Sequence, residues 1–426
     1  MTAAYQTRPR PQVTAVVVTG GRSPYLPQAL WCLARQTRPA ETTLLVCTDQ
    51  AAVAEVQEMA LMCGLTAATL QVVAAPKAKN FGQAVAGGLA TAGLDGAGLQ
   101  GTAADAAGVD SFLWLLHDDC YPEPGALEAL AAALELGPSV ALAGPKQVRP
   151  EDPRLLEEVG CSTTPFGRRL ANGDNGELDQ GQYDANDDVL AVGTAGLLVR
   201  LAAWRHLGGL DPALGPYRDG LDLSRRARLA GYRVVVAPEA VMGHEKASYL
   251  GLRPTGRSGR RGACSGQHAS GSTKAQARRE PNPAASFAPR RRALIFTQLV
   301  HGPVWALPLV TVAAIASAIG RFFWRLATKD FRLAAAELAA PVAVLARPGR
   351  VFASRRLAAR TARAARRSLR PLQLSAREAR ALRRDRRITA AEHLRLRQAP
   401  TEIEIAELRA LAARRRRMFA ALAVVV

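Results

Sequence analysis

Two adjacent carboxylates, Asp118 and Asp119, follow His117 and an apolar run, 112–116, that is typical of a buried strand. Prolines and a glycine end the strand directly afterwards. In open α/β sheets, ligands bind at the carboxyl ends of parallel strands. Neighbouring buried acids are unfavourable unless a cation or hydrogen bonds compensate their charge, and a hard divalent ion, Mg²⁺ or Mn²⁺, that carries phosphate oxygens is the natural compensator. The alternative is that both acids only cap the following turn.

Alternating strands and helices in the first half of the chain must position these acids. Apolar, β-branched runs predict buried strands, and helical spacing between them predicts helices. The predicted strands cover 13–19, 42–47, 70–73, a run that begins at 112, 140–143, 191–200 and 233–237. The predicted helices cover 25–36, 51–63, 83–92, 126–136 and 223–230, with a loop at 93–108. This alternation indicates a parallel, right-handed βαβ sheet, with antiparallel or irregular elements at 158–170 and 182–199.

Composition assigns different partners to the two halves of the chain. The 426 residues are enough for one large domain with appendages. The net charge of +20 comes mainly from basic residues after position 252. This charge therefore indicates what the tail binds and does not indicate what the first part of the chain binds. The six cysteines are scattered without a CxxC pair, which indicates reduced thiols in a cytoplasmic domain. The first residues lack the apolar core of a signal peptide.

The second half of the chain predicts a membrane-associated region. Residues 251–290 are rich in Gly, Ser, Arg and Pro and predict a flexible linker. The uncharged stretch 293–320, within a segment at 291–346, exceeds the ~20 residues that span a bilayer. An interfacial hairpin and an internal pair of hydrophobic helices are the alternatives. Residues 418–426 resemble the start of a second, truncated membrane segment.

The basic region at 347–417 is rich in Ala, Leu and Arg and predicts helices. Its charge predicts adhesion to anionic membrane lipids on the cytoplasmic side, with a solvated helical extension as the alternative. Nucleic acid is not expected as a partner, because no aromatic side chains interleave with the arginines to stack on bases.

The order of motifs at 13–250 resembles the A-type, inverting glycosyltransferases of family two, of the bacterial membrane-associated type. The segments that carry the resemblance are VVVTGGRSPYLPQAL, the acid after TTLLVC, NFG, LLHDDCYPEPGALEAL, VGTAGLLVRLAAWRHLGGLDP and DGLDLSRRARLAGYRVVVAPEAVMGHE. Each is weak alone, and their order makes the resemblance strong. It implies a Rossmann-like GT-A domain with a mixed, mainly parallel sheet over 1–250, followed by a membrane segment and a basic α-helical tail.

The resemblance also implies roles for particular residues. Asp119 would bind the divalent ion, and His244 would reach the metal or the diphosphate, with a structural histidine as the alternative. His117 stands where many members of the family carry the first acid of the motif. The residues expected on the nucleotide and substrate side are Thr19, Gly20, Asp49, Asn80, Phe81, Gly82, Asp118, Gly193 and Thr194.

The catalytic base is the one departure from the family pattern. Alignment on the segment EDxDL places Asp219 at the first acid and Gly220 at the second, which is the usual base. Glycine cannot serve in that role, so Asp219 is the expected base. Asp222 is the second candidate, because in the first helical turn it can instead cap the helix.

The expected function is that of an inverting hexosyl- or deoxyhexosyltransferase at the inner (plasma) membrane, with its catalytic domain in the cytoplasm. The donor would be a nucleoside-diphosphate sugar, and the acceptor a cell-surface glycan or glycolipid. One alternative is a nucleotidyltransferase that makes such sugars, although Gly20-Gly21-Arg22 supplies only part of the glycine-rich loop that this enzyme needs. The other is a degenerate transferase domain that acts as a membrane scaffold, which Gly220 keeps open.

Overall fold

The computed structural model describes residues 10–94, 110–171, 176–185, 187–253 and 281–375, with scattered positions between 377 and 410. Most of the predicted loop at 93–108, most of the predicted linker and the segment 418–426 lie outside the described residues. The chain divides into two units, Met1–Leu374 and Ser375–Val426. In the second unit, the described positions between 377 and 410 are helical, and the amide of Ala379 donates to the carbonyl of Ser375. All elements named below belong to the first unit.

The secondary structure of the first unit alternates as the sequence predicts. Its strands are β1 Gln12–Thr19, β2 Thr42–Cys47, β3 Leu70–Ala74, β4 Ser111–His117, β5 Cys120–Pro122, β6 Val140–Val148, β7 Leu155–Glu158, β8 Cys161–Thr163, β9 Arg169–Ala171, β10 Glu177–Leu178, β11 Leu197–Arg200 and β12 Arg233–His244. Its helices are α1 Leu26–Ala34, α2 Val53–Met62, α3 Phe81–Thr91, α4 Ala126–Leu136, α5 Leu201–Leu207, α6 Asp219–Leu229, α7 Phe287–His301, α8 Leu307–Ala327, α9 Phe331–Leu345 and α10 Pro348–Arg360.

Ten of the described strands form one mixed, mainly parallel sheet, and β8 pairs with β9 in a separate antiparallel sheet. The order of the larger sheet is β10-β7-β6-β11-β4-β1-β2-β3, with β12 paired to β5 and β6. Strands β3, β2, β1 and β4 are parallel neighbours, and β11 lies antiparallel between β4 and β6. Strand β12 runs parallel to β6 and then antiparallel to β5. The GT-A-type fold expected from the sequence is therefore confirmed.

Strand β1 shows why the sheet is buried on both faces. Val16 and Val18 pack into one apolar cluster, whereas Val13, Ala15 and Val17 pack into another on the opposite face. Because successive side chains of a strand point to opposite faces, an unbroken apolar run fits a sheet that helices cover on both sides. The helices thereby fix the strand ends that carry polar residues.

Several predicted boundaries differ from the structure, and three of these differences lie in the elements that contribute to the site. The strand predicted over 191–200 is only β11, because Ala191 forms an isolated bridge to Cys161 and the chain turns at Gly196 with a φ of 83°. Strand β12 extends past the predicted residue 237 to His244, with a register shift along the way. Helix α6 begins at Asp219, four residues before the predicted start, so its first turn contains both acids of the DGLD segment.

The predicted apolar segment forms two helices and not one, since Gly302 and Pro303 separate α7 from α8. Among the described residues, 304–327 is the one stretch of helix long and apolar enough to span a membrane. Glu337 of α9 is buried, accepts a hydrogen bond from Arg321 of α8 at 3.0 Å, and lies 3.1 Å from Arg291 of α7. This shared carboxylate ties the three helices together.

Candidate active site

The ends of β1 and β4 bring the first polar groups together. The two strands are parallel, with Val18 opposite His117, so Thr19 and Asp118 leave the sheet at the same edge. The Thr19 hydroxyl donates to Asp118 Oδ2 at 2.9 Å and accepts from the amide of Gly21 at 3.0 Å. Gly21 has a φ of 82°, a conformation that favours glycine. The first strand therefore positions one of the two acids directly.

Strand β12 brings a histidine to the same edge from 124 positions further along the chain. Its antiparallel pairing with β5 sets His244 opposite Cys120, beside Asp119. Asp119 Oδ1 lies 3.9 Å from His117 Nδ1 and 3.8 Å from His244 Nε2. The ligand atoms of all four residues lie within 4.8 Å of one another.

These separations suit a divalent ion. Imidazole and carboxylate ligands lie about 2.0–2.2 Å from such an ion, so two ligands of the same ion can be 3–4 Å apart. Burial lowers the pKa of His117 to about 3 and also lowers the pKa of His244, so both imidazoles are neutral and able to coordinate. Burial raises the pKa of the Cys120 thiol well above its usual value, so this sulfur stays protonated. Asp119, His117 and His244 are thus the best candidates to hold a metal.

Two polar side chains orient the imidazoles. His244 Nδ1 lies 3.1 Å from Gln147 Oε1, and the Gln147 amide nitrogen donates to the carbonyl of Ala195. Because the Gln147 oxygen can only accept, His244 carries its proton on Nδ1 and presents the lone pair of Nε2 toward Asp119. His117 Nε2 lies 3.1 Å from the Thr194 hydroxyl, an arrangement that can leave Nδ1 free in the same way. A metal-binding histidine is usually fixed by such a partner.

Arg253 neutralises the acid pair. Its guanidinium donates to Asp118 Oδ1 and, at 2.8 Å, to Asp119 Oδ1. The amide of Ala247 donates to the other oxygen of Asp119 at 2.9 Å. Burial would raise the pKa of Asp119, but the charge of Arg253, together with the hydrogen bond from Ala247, holds that pKa at about 2. Burial raises the pKa of Asp118 despite the same arginine.

The residues expected to contact the nucleotide lie near this edge, and several have local structural roles. Asp49 follows β2 and caps a short 3₁₀ helix through the amide of Ala51. Asn80 caps α3 and also donates to the carbonyl of Pro212 at 3.0 Å. The ring of Phe81 packs edge-on against His117, with centroids 4.4 Å apart.

Three small residues bring backbone close to the site. Gly20 continues from Thr19 and is exposed. A side chain at Gly82 would lie 2.9 Å from the Cβ atom of Leu210, so the first turn of α3 packs tightly there. A Cβ atom at Gly193 would lie 3.5 Å from the Gln147 amide nitrogen. The neighbouring Thr194 contacts His117 directly.

Asp219 is the first residue of α6 and is buried. Its Oδ1 atom accepts from the amide of Gly220 at 2.8 Å, and its Oδ2 atom has no hydrogen-bond partner within the described residues. Burial raises the pKa of Asp219 to about 6. A carboxylate with one free oxygen and a pKa near neutrality has the properties of a general base.

Gly220 lets the start of α6, which carries Asp219, pack close to the metal-binding residues. A Cβ atom at this position would lie 2.6 Å from the carbonyl oxygen of Val192 and 2.9 Å from the amide nitrogen of Thr194. Helix α6 therefore packs directly on the backbone segment whose Thr194 contacts His117. The structure has no room for an acid at position 220.

We expect Gly220→Ala to destabilise the fold by about 1–3 kcal/mol, because backbone atoms must move to admit even one methyl group. Gly220→Asp, which introduces the usual acid of the family, is expected to unfold at still lower temperature and to gain no activity. The measurement is thermal unfolding, with Gly349→Ala as the control, since a Cβ atom there meets nothing within 4 Å. An unchanged melting temperature for both Gly220 variants would contradict the packing argument.

The contacts of Asp222 are those of a residue that stabilises the fold. Its Oδ2 atom accepts from Arg226 Nε at 2.8 Å, and its Oδ1 atom lies 2.9 Å from His301 Nε2 of α7. Although burial opposes ionisation, Arg226 and His301 lower the pKa of Asp222. Arg226 also donates to two carbonyls at and just after the C-terminal end of α5. A carboxylate engaged in this way is a poor base, so the geometry favours Asp219 among the two candidates.

Sequence reasoning did not single out Gln147 or Arg253, and it named His117 without a metal role. The only local signal for Gln147 is a polar residue in an otherwise apolar, fully buried strand. Arg253 belongs to a run of basic residues and has no distinguishing pattern. Both are recognised through contacts with residues about 100 or more positions away.

Comparison with known proteins identifies the family. No protein with a curated description matches the chain in sequence. Among solved structures, it is similar to the mannosyltransferase PcManGT from Pyrobaculum calidifontis in complex with GDP-Man and Mn²⁺ (16% identity, 79% of this chain and 87% of that one, TM-score 0.42).

Two other similar structures have comparable scores. One is GalNAc-T7 with UDP, GalNAc and Mn²⁺ (12% identity, 55% of this chain, TM-score 0.40), of which the match spans only 44%. The other is residues 1–349 of S. aureus TarS (13% identity, 70% of this chain and 68% of that one, TM-score 0.37). The sequence profile of glycosyltransferase-like family 2 matches residues 9–263, more than half of the chain. The chain therefore belongs to glycosyltransferase-like family 2.

Proposed function

We propose that this protein transfers a hexosyl or deoxyhexosyl group from a nucleoside-diphosphate sugar to a hydroxyl of a cell-surface glycan or glycolipid, with inversion and with Mg²⁺ or Mn²⁺. The observation that carries the proposal is the convergence of Asp118, Asp119, His117 and His244 at the carboxyl edge of the sheet. Ligands bind at this edge in open α/β sheets. The family membership supports the same reaction class.

The proposed division of labour follows from the contacts. When bound, a divalent ion supplies the positive charge that a departing nucleoside diphosphate requires. Asp119, His117 and His244 would hold that ion, while Thr19 keeps Asp118 in place. Asn80 and Asp49, at neighbouring element ends, are proposed to face the nucleotide.

The acceptor hydroxyl needs a base. Asp219 is proposed to remove its proton through the unpartnered Oδ2 atom, so that the oxygen attacks the anomeric carbon as the bond to the diphosphate breaks. One direct displacement inverts the anomeric centre and requires no nucleophile from the protein. The position of Asp219, one residue from the contact between Gly220 and Thr194, supports this assignment.

Titration of the protein with UDP, GDP and dTDP, with and without Mn²⁺, tests the proposal. We expect one preferred nucleotide that binds tightly only when the ion is present, followed by transfer from the corresponding sugar nucleotide. Absence of metal-dependent nucleotide binding would refute the enzymatic function and favour a scaffold. Release of pyrophosphate from a nucleoside triphosphate and a sugar phosphate would instead identify a nucleotidyltransferase.

We also propose that helix α8 and the basic segment after it attach the protein to anionic lipids on the cytoplasmic face of the inner membrane. Large apolar side chains near and on α8 are exposed, including Trp305 (79%), Leu309 (66%) and Phe323 (62%). The stretch 347–375 contains nine arginines and no acid. Apolar side chains that enter the acyl region and arginines that bind anionic headgroups act together in such surfaces.

Vesicle flotation tests the membrane proposal. We expect binding to vesicles that contain phosphatidylglycerol and weaker binding to vesicles of phosphatidylcholine alone, because each arginine near an anionic surface contributes about 1 kcal/mol. The double variant Trp305→Glu, Phe323→Glu should lose most of the binding, whereas Leu136→Glu, at an exposed apolar residue of α4, should retain it. Equal binding to both vesicle types would exclude an electrostatic contribution.

A further inference from the structure

Arg253 occupies the oxygen atom on which the proposed metal site depends. Its guanidinium donates to Asp119 Oδ1 at 2.8 Å. The same oxygen faces the free nitrogens of His117 and His244, at 3.9 and 3.8 Å. A divalent ion held by the two imidazoles would need this oxygen as its carboxylate ligand. The guanidinium and the ion therefore compete for one atom.

The burial of Asp118 and Asp119 explains why this acid pair requires a cation whether or not a metal ion is bound. Asp118 and Asp119 are each only 1% exposed. Two adjacent buried carboxylates are strongly unfavourable without a positive charge beside them. Arg253 is the described basic residue that contacts both, through a single nitrogen. It supplies the compensating charge.

Arg253 is also placed so that it can leave. Its side chain is 35% exposed, unlike the carboxylates it contacts. In the described part of the chain, its Nε atom has no hydrogen-bond partner. Asp119 would meanwhile keep the amide of Ala247 on its other oxygen. Release of the guanidinium thus costs the contacts with the acid pair and little else.

We propose that Arg253 is the internal counter-ion of the acid pair in the metal-free protein and that a divalent ion displaces it from Asp119. This inference rests on the metal-dependent function proposed above. It means that the metal affinity is set partly by an arginine that is not a ligand. A site that is free of the guanidinium one-tenth of the time binds the ion about tenfold more weakly than one that is always free.

Mn²⁺ titration followed by electron paramagnetic resonance, which detects the free ion, tests the exchange without any turnover. We expect Arg253→Gln to bind Mn²⁺ about tenfold more tightly than the wild type. The matched control is Arg290→Gln, which removes a nearby arginine that stacks on Tyr249 and is not among the contacts of either carboxylate. Its Mn²⁺ affinity should stay close to that of the wild type.

Salt and stability provide two further readouts. The difference in Mn²⁺ affinity between Arg253→Gln and the wild type should persist at high salt. Salt screens a contact at a buried pair of charges much less than it screens long-range repulsion. Without metal, Arg253→Gln should melt at a lower temperature than the wild type, and Mn²⁺ should stabilise the variant more than it stabilises the wild type.

Three outcomes would overturn the exchange. If Arg253→Gln binds Mn²⁺ with unchanged or reduced affinity, the guanidinium does not compete with the ion, and the function proposed above is unaffected. If neither the wild type nor Arg253→Gln binds Mn²⁺, the metal-dependent function fails together with the exchange. Asp119→Asn should abolish binding in both backgrounds, and retained binding would locate the ion elsewhere and refute the exchange.

Discussion

Asp119→Asn is expected to reduce sugar transfer about a thousandfold, which corresponds to about 4 kcal/mol of lost charge stabilisation, and to abolish Mn²⁺ binding. Asp119 is the acid whose Oδ1 faces both imidazoles. The amide oxygen of asparagine can still accept from Ala247, so the fold should be retained. The measurements are initial rates with the preferred donor and Mn²⁺ affinity.

Asp110→Asn is the matched control for this loss of charge. Asp110 precedes the same strand, β4, at its opposite end and pairs with Arg200. We expect this variant to keep both its Mn²⁺ affinity and its rate. If Asp119→Asn loses activity but binds Mn²⁺ like the wild type, Asp119 is not the metal ligand.

Asp219→Asn is expected to reduce transfer about 10²- to 10⁴-fold, the range that a general base contributes. The pH dependence gives the more specific test. A base must be unprotonated, and burial raises the pKa of Asp219 to about 6. The kcat/KM of the wild type should therefore fall as the pH decreases below about 6, and the residual activity of Asp219→Asn should lack this decline.

Stability separates this result from misfolding. The raised pKa means that ionised Asp219 disfavours the folded state at pH values above about 6, and that this cost disappears as the pH falls toward the ordinary value of 3.8. Asp219→Asn should thus melt no lower than the wild type at pH 8. Asp222→Asn should instead lose stability, by about 3–5 kcal/mol, because it leaves buried Arg226 without its carboxylate. If the kcat/KM of Asp219→Asn still falls below a pH of about 6, as in the wild type, the base is another residue.

Much of the sheet follows from local pattern. The run from Val13 to Thr19 and the run that ends at His117 are apolar enough to identify buried strands, and the polar residues that follow them identify the functional edge. The parallel direction of these strands was expected from their alternation with helices, whereas their side-by-side pairing is seen only in the structure. The sequence alone therefore suffices to assign Asp118 and Asp119 to one site.

The remaining parts of the site depend on contacts across long sequence separations. Arg253 reaches Asp119 over 134 positions, and Gln147 reaches His244 over 97. Neither residue type nor spacing specifies such contacts. The register of β12 against β5 and β6 brings His244 to Gln147, and Arg253 lies in the segment that follows β12. Likewise, the sequence shows that Gly220 departs from the family pattern. Only the structure shows that the backbone at Val192 leaves no space for a side chain there.

The close contact at Gly220 has a consequence for evolution within the family. An acid at this position and the direct packing of α6 on the segment at 192–194 exclude each other. A lineage that moves between the two states must change the distance between helix and loop together with the residue, so single substitutions in either direction should be deleterious. Ancestral reconstruction can therefore look for a paired change, in which the acid is lost together with the shift of the helix.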